Sequence, residues 1–224
     1  MIVILVVLIA GAAFALSLGR TLLTLDEAPL RLAPQVAEQL GNSGTTHPVT
    51  AVLLNFRGYD TLLEIAVLLL ALLGILAVSG GERGSHRSIA NVPQPLLQSM
   101  ARIVVPLMVL VSIYLLWAGA HRPGGAFQAG AVLASAGILL YLSGLLPAWA
   151  SPGYRLRLGL CAGLMIFLAI AALPLLYGGA LLQYPPGWAS GLILAIETGL
   201  AFSLSLMLAG QFLWLPNEDE EAEE

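Results

Sequence analysis

Lysine is absent from this chain of 224 residues: all nine of its basic residues are Arg. Charge of either sign is scarce, with only 10% Asp, Glu, Lys and Arg, against roughly 25% in a soluble domain. So few charges cannot cover a water-facing surface of this size, which excludes an ordinary soluble protein. The single cysteine, Cys161, excludes an internal disulfide and any multi-cysteine metal or iron–sulfur site, and reads as a small hydrophobe on a helix face. Three histidines, spread along the chain, form no zinc-ligand cluster. No nucleophile–base pair falls in one region, and no nucleotide fingerprint is present. Arginine is too sparse for nucleic-acid binding. The expectation is therefore no enzyme, no cofactor, no metal and no nucleic-acid partner.

What remains is apolar. Hydrophobic residues make up 58% of the chain and the mean hydropathy is +0.90. Met1 to Gly19 is a continuous apolar run, stopped by Arg20 and Asp26–Glu27. Ala13-Phe14-Ala15 resembles a signal-peptide cleavage site, but the charged leading region is missing, so the run reads as an uncleaved first span. Residues 26–46 are polar, with a short amphipathic helix expected near Pro34–Leu40. Pro48 to Val78 is too long for one ordinary span of about 20 residues. A short or re-entrant helix, a break near Arg57-Gly58 and then a full second span fits it better. Gly80 to Gln98 is a polar connection carrying Glu82, Arg83, His86, Arg87, Pro93 and Pro95. Further spans follow at Ile103–Ala120, Gly124–Leu146 (closed by Pro147), Leu158–Leu176 and Trp188–Trp214, the last flanked by aromatics. The fold class is thus an all-α integral membrane helical bundle of about six transmembrane helices.

Net charge is −4, yet six of the thirteen acids lie between Glu218 and Glu224. That tail is too charged to pack and reads as disordered. An even number of spans puts both ends on one side, with Arg83, Arg87, Arg102, Arg155 and Arg157; Arg20, Arg31, Arg57 and Arg122 fall on the other. The excess, larger if Arg57 lies inside the membrane, favours cytoplasmic ends.

A carboxylate at a bilayer centre costs roughly 2.5–3.5 kcal/mol on insertion scales and is kept where it works or is paired. Two places qualify. Glu197 lies within the sixth span, too deep to reach the interface, so it must face a partner, a cavity or a buried donor, or be protonated. Thr198, Gly199, Ser203 and Ser205 beside it offer hydroxyls and close approach between helices. Arg57, Asp60 and Glu64 are spaced three and four apart, one helical face, where a cation and two carboxylates hold one excess negative charge suited to an ion relay. The bland alternative is an interfacial anchor, and Glu64, one turn deeper, resists it best. His47 and His121 each stand at a predicted membrane boundary, where a solvated or capping role competes with a proton relay. Pro123-Gly124-Gly125-Ala126-Phe127-Gln128-Ala129-Gly130 opens the fourth span and reads as a tight inter-helix contact, with Pro123 in the first helical turn.

Two stretches carry a resemblance. His47-Pro-Val-Thr-Ala-Val-Leu-Leu-Asn-Phe-Arg-Gly-Tyr-Asp-Thr-Leu-Leu-Glu64 resembles the carboxy-terminal part of the large A-type component of Mrp-type sodium/proton antiporters, and equally a small E-type component of the related membrane-bound hydrogenases. His121-Arg-Pro-Gly-Gly-Ala-Phe-Gln-Ala-Gly130 is similar to the signature of the B-type component of those antiporters. Ala126 and Ala129 stand where the family usually has glycine, and Asn55 where it usually has Asp, which weakens a charge-dependent role at that position. The resemblance implies an E-like domain of two spans over residues 1–95, a B-like domain of four spans over 96–215, and a tail at 216–224. It also implies a multi-subunit complex in a prokaryotic inner (plasma) membrane that moves sodium ions and protons, alone or attached to a redox module. Its partners would be the other membrane proteins of that complex. The principal pumping lysines would then lie in larger subunits, in keeping with the lack of lysine here. The expected function is to assist assembly of the antiporter and to line its ion pathway with Asp60, Glu64, Arg57, Glu197 and His47. The alternatives are an accessory role in a redox-driven pump related to respiratory complex I, and a purely structural scaffold.

Overall fold

The computed structural model describes residues 2–24, 32–78, 95–145, 154–185 and 187–214. Among these there is no strand, and the chain is an all-α multi-pass membrane protein. The charged connection holding Glu82, Arg83, His86 and Arg87, the residues Asp26, Glu27 and Pro147, and the acidic tail lie outside the described residues. The chain forms two compact units, Met1–Ala37 and Glu38–Glu224.

The first unit contains α1 (Ile2–Leu23), 22 residues long and therefore ~33 Å at a helical rise of 1.5 Å per residue. Its last turn is closed by hydroxyls: Thr21 Oγ1 donates to the Ser17 carbonyl at 3.0 Å and Thr24 Oγ1 to that of Arg20 at 2.9 Å. The short helix α2 (Leu32–Gln39) stands where the amphipathic segment is expected.

The second unit is a helical bundle. Helix α3 (Pro48–Ala51) starts with proline in its first turn and runs into a π-helical turn over Val52–Phe56. The Arg57 N–H donates to the Val52 carbonyl at 2.7 Å, and Arg57 leaves helical geometry at φ −129°. Helix α4 (Gly58–Val78) then begins. The break thus falls where the length of the apolar run requires one. Thr61 repairs it: its buried hydroxyl donates to the Leu53 carbonyl at 2.6 Å, one of the groups that the irregular turn frees.

Helices α5 (Pro95–Ala118), α6 (Ala126–Leu142), α7 (Tyr154–Ala172) and α8 (Ala189–Trp214) complete the unit. Helix α5 begins eight residues before the expected Ile103, so Arg102 belongs to the helix and not to the connection. Pro106 stands inside it, without an N–H to donate. Helix α6 begins at Ala126, not Gly124, and α7 continues as a 3-10 turn over Leu173–Tyr177 that ends at Gly178 with φ +76°. Four described helices are long and apolar enough to cross a membrane: α4, α5, α7 with its extension, and α8. Helix α6, with 17 residues, is shorter.

Helix α8 is the axis. Over its apolar window 56% is buried, against 11% for α5 and 17% for α4. Its inward residues Ile193, Ile196, Leu200, Leu204 and Met207 share the core with Phe167 of α7, Ala129 of α6, and Ile65 and Leu72 of α4. Small residues permit the close packing. A Cβ on Gly163 would stand 2.6 Å from that of Ser203, and one on Gly130 3.0 Å from that of Leu204. Ser203 Oγ donates across the same contact to the Leu160 carbonyl at 2.5 Å. With no water to drive helices together in lipid, such backbone proximity and inter-helix hydrogen bonds hold a bundle. Cys161 faces outward from α7.

Candidate functional site

The second unit has one buried carboxyl among its described residues, Glu197, and the chain is folded around it. Eight residues separate it from the start of α8, so it lies ~12 Å inside that helix. It is 3% exposed. The expected choices for it are a partner, a cavity or a buried donor; it has both of the last two within this chain. The Ala126 N–H, at the N-terminus of α6, donates to the carboxyl. Helix N-termini carry unsatisfied donors and a partial positive charge, so this is a favourable place for an acidic group.

Glycine makes that approach possible. Gly125 precedes α6 with φ +111°, a conformation that other residues rarely adopt, and a Cβ there would lie 2.9 Å from Glu197 Oε1. A Cβ on Gly119 would meet the Gly125 Cα at 2.7 Å and Glu197 Oε1 at 3.3 Å. A Cβ on Gly124 would strike the Leu115 carbonyl, which accepts from both the Gly119 and Gly125 N–H groups, at 3.1 and 2.9 Å. The signature is therefore a turn first and a helix second. Pro123 stands before the turn, not in the first turn of α6, because the positive φ of Gly125 delays the helix to Ala126. Gly130 lies against α8, close to Leu204 and the Ala201 carbonyl. Phe127 packs at the edge of the core, and Gln128 faces outward.

The other motif docks on this turn. The Thr46 and His47 N–H groups both donate to the Ala120 carbonyl, at 3.1 and 3.2 Å, and Thr46 Oγ1 adds a third bond at 3.2 Å. Thr50 Oγ1 donates to the Gly119 carbonyl at 2.5 Å, and Thr46 Oγ1 pairs with His121 Nδ1 at 3.0 Å. Gly44, with φ +81°, comes so close to Ala189 that a Cβ would need that residue to move. Asn55 donates to the Ser43 carbonyl at 2.8 Å, so this uncharged side chain holds the segment's fold. His47 Nδ1 lies 3.4 Å from Thr50 Oγ1; His47 precedes α3 but makes no side-chain cap.

Between these parts lies a cavity of about 110 Å³, lined by Thr45, Trp117, Ala120, His121, Ser190, Ile193, Leu194 and Glu197. Glu197 Oε2 has no hydrogen-bond partner. Spacing along the sequence marks Glu197 and the glycines, but not that they meet, nor that Ser190 and Thr45 join them: the contacts join segments about 70 residues apart, such as Thr50 with Gly119.

The acidic group around the break is arranged differently. Arg57 and Asp60 form an ion pair on the outside of the unit, their side chains 65% and 43% exposed. Arg57 belongs to the break, while Asp60 occupies the first turn of α4 and Glu64 follows one turn on, facing outward. None of the three lines the cavity beside Glu197. Among the described residues no group of His, Cys, Asp and Glu could hold a metal ion.

Among solved structures, the fold resembles a chain of the Mrp complex from Dietzia sp. DQ12-45-1b, with TM-score 0.69 and 24% identity, over 96% of this chain and 26% of that one. It also resembles a chain of the membrane-bound sulfane sulfur reductase, an archaeal respiratory membrane complex, with TM-score 0.71 and 22% identity, over 95% of this chain and 99% of that one. The probable K(+)/H(+) antiporter A/B protein of Rhizobium meliloti (strain 1021) is 29% identical over 125 residues, 45% of this chain and 12% of the relative. The B component of the Na(+)/H(+) antiporter of Alkalihalophilus pseudofirmus is 43% identical over 47 residues, 21% of this chain and 33% of the relative. The aligned stretches thus span a third or less of these two relatives. The family described as "Domain related to MnhB subunit of Na+/H+ antiporter" matches residues 96–213, the part that contains the glycine turn and Glu197, and the chain belongs to that family.

Proposed function

We propose that the chain is a membrane component of a multi-subunit Mrp-type sodium/proton antiporter, contributing to its assembly and to its ion pathway. The observation that carries this reading is the family match over residues 96–213. Residues 1–95 act as an E-like domain and 96–215 as a B-like domain, with residues 216–224 as a tail. The docking of Thr46, His47 and Thr50 on the turn at Gly119–His121 supports joining them in one polypeptide. The chain sits in the plasma membrane of a prokaryote with both ends in the cytoplasm.

Its outward faces are the natural partner surfaces. Arg57, Asp60 and Glu64 face outward on one side of a membrane-spanning helix, where charges in contact with lipid alone would be costly. A neighbouring protein of the complex covers them, and together they line a path for sodium ions or protons. His47 and Glu197 serve protons inside this chain. Purification of the native complex tests assembly: the large subunits of the antiporter co-purify. Glu64→Gln in the intact complex, assayed in inverted vesicles, tests the pathway: sodium-dependent proton movement falls while assembly is normal. Full transport by the assembled variant would leave the chain a scaffold.

The likeness to the sulfane sulfur reductase chain, over 99% of that chain's length, favours a second reading, an accessory component of a redox-driven pump. Redox-active proteins co-purifying with the chain would decide for it.

A further inference from the structure

The cavity beside Glu197 joins a buried carboxyl to an exposed histidine. We propose that it is a water-filled proton half-channel, with His121 at its mouth and Glu197 at its inner end. The inference deepens the antiporter reading by naming the ion and the route at this site, and it rests on α8 lying in the membrane.

Glu197 Oε1 is turned to the glycine turn, where the space for a side chain on Gly119 or Gly125 is taken by it. Oε2 has no protein partner. A buried oxygen of this kind needs water, a cation or its own proton. The cavity has room for several waters, and the polar residues Ser190 and Thr45 belong to its wall. From α6 the carboxyl meets the Ala126 N–H; from α5 and the loop after it, Trp117, Gly119, Ala120 and His121 surround it; from its own helix, Ser190, Ile193 and Leu194. His121 is the one other titratable group on that wall, and no Arg lines it.

His121 is built to exchange protons. Its Nδ1 is engaged by Thr46 Oγ1 at 3.0 Å, and its ring stands edge-on to Trp117, centroids 6.0 Å apart at 71°. The ring is held through Nδ1, which leaves Nε2 as the nitrogen available for exchange. An imidazole can accept a proton at one ring nitrogen and release one from the other. A proton arriving at His121 passes through the water to Glu197 Oε2, leaving a neutral imidazole and a neutral carboxyl; release runs the same way backwards. A sodium ion fits less well. The Ala120 carbonyl, on a residue of the cavity wall, already accepts three hydrogen bonds.

The test is infrared difference spectroscopy on the full chain in lipid nanodiscs, with exchange from H2O to D2O. A protonated-carboxyl band is expected that exchanges with solvent and is absent from Glu197→Gln. His121→Ala slows its exchange on the order of 100-fold, the scale of a positioned acid–base group, and added imidazole restores it. Ser190→Leu, which fills the cavity, slows exchange without rescue. No band at any pH, a band that survives Glu197→Gln, exchange in His121→Ala as fast as in the native chain, or displacement of the band by sodium ions would each overturn the proposal. The measurement needs no assembled transporter, so its failure is distinct from failure of the chain to join one.

Discussion

Glu197 and Glu64 are both carboxylates on membrane-spanning helices, and the chain treats them in opposite ways. Glu197 is enclosed by a glycine turn, a helix N-terminus and a cavity, all supplied by this polypeptide. Glu64 faces outward, beside the equally outward Arg57–Asp60 pair. The first has a complete environment; the second has one only when something covers it. Charge in lipid must be compensated in either case, so the difference shows which carboxylate belongs to the chain's own fold and which to an interface.

The largest break in that comparison is expected at Gly125. Gly125→Val places a β-branched residue at φ +111° with its Cβ 2.9 Å from Glu197 Oε1. Backbone strain of this kind costs of order 1–3 kcal/mol, and the displaced carboxyl adds to it. The expected outcome is a loss of about 2–4 kcal/mol, read as reduced yield and a lower unfolding temperature in detergent. An unchanged unfolding temperature would mean that the turn does not hold the carboxyl. Next is Thr61→Val, which keeps the shape but removes the donor to the Leu53 carbonyl. A part-buried acceptor left unpaired costs up to about 1–3 kcal/mol, and hydrogen exchange of the amides at the break should rise first.

Asp60→Asn and Glu64→Gln come lower on the same scale. Exposed ion pairs contribute ~0–1 kcal/mol, so the isolated chain should unfold within that margin of the native one. In the complex the two variants should instead lower transport. Destabilisation of the isolated chain by more than about 1 kcal/mol would place these carboxylates in its own fold and dissolve the contrast with Glu197.

How much of this could be read beforehand follows from range. The break near Arg57-Gly58 was legible because the mostly apolar stretch of 31 residues from Pro48 to Val78 exceeds one span. Its π-helical register was not, because periodicity does not separate one extra residue per turn from an ordinary helix end. Glu197 announced itself by its depth in an apolar run. Its surroundings did not, because they come from segments about 70 residues apart that no local pattern links, and because its donor is a backbone N–H, which every residue but proline carries. The glycine signature suggests helix packing from its small residues alone, and only the positive φ of Gly125 shows that a turn precedes the helix.

The smallest expected effect sharpens the comparison most. Two buried side-chain atoms lack a hydrogen-bond partner among the described residues: Glu197 Oε2 and the Tyr184 hydroxyl. Tyr184 lies in the connection between α7 and α8, is 7% exposed, and does not line the cavity beside Glu197. Burial pushes its hydroxyl up to about 12 from 10.0. The unfolded chain therefore releases this proton first as pH rises, so the stability tied to the neutral hydroxyl is fully present below pH 10 and is lost as pH rises through about 12. Tyr184→Phe removes an unpaired polar group along with its titration. At neutral pH it should change stability by less than about 1 kcal/mol, in either direction. Above pH 10 the variant should lose stability less steeply than the native chain, measured as unfolding temperature against pH. A clear loss at neutral pH would show that Tyr184 has a partner after all; a neutral result would leave Glu197 Oε2, with water-sized space at its side, as the unpartnered atom that the fold keeps for use.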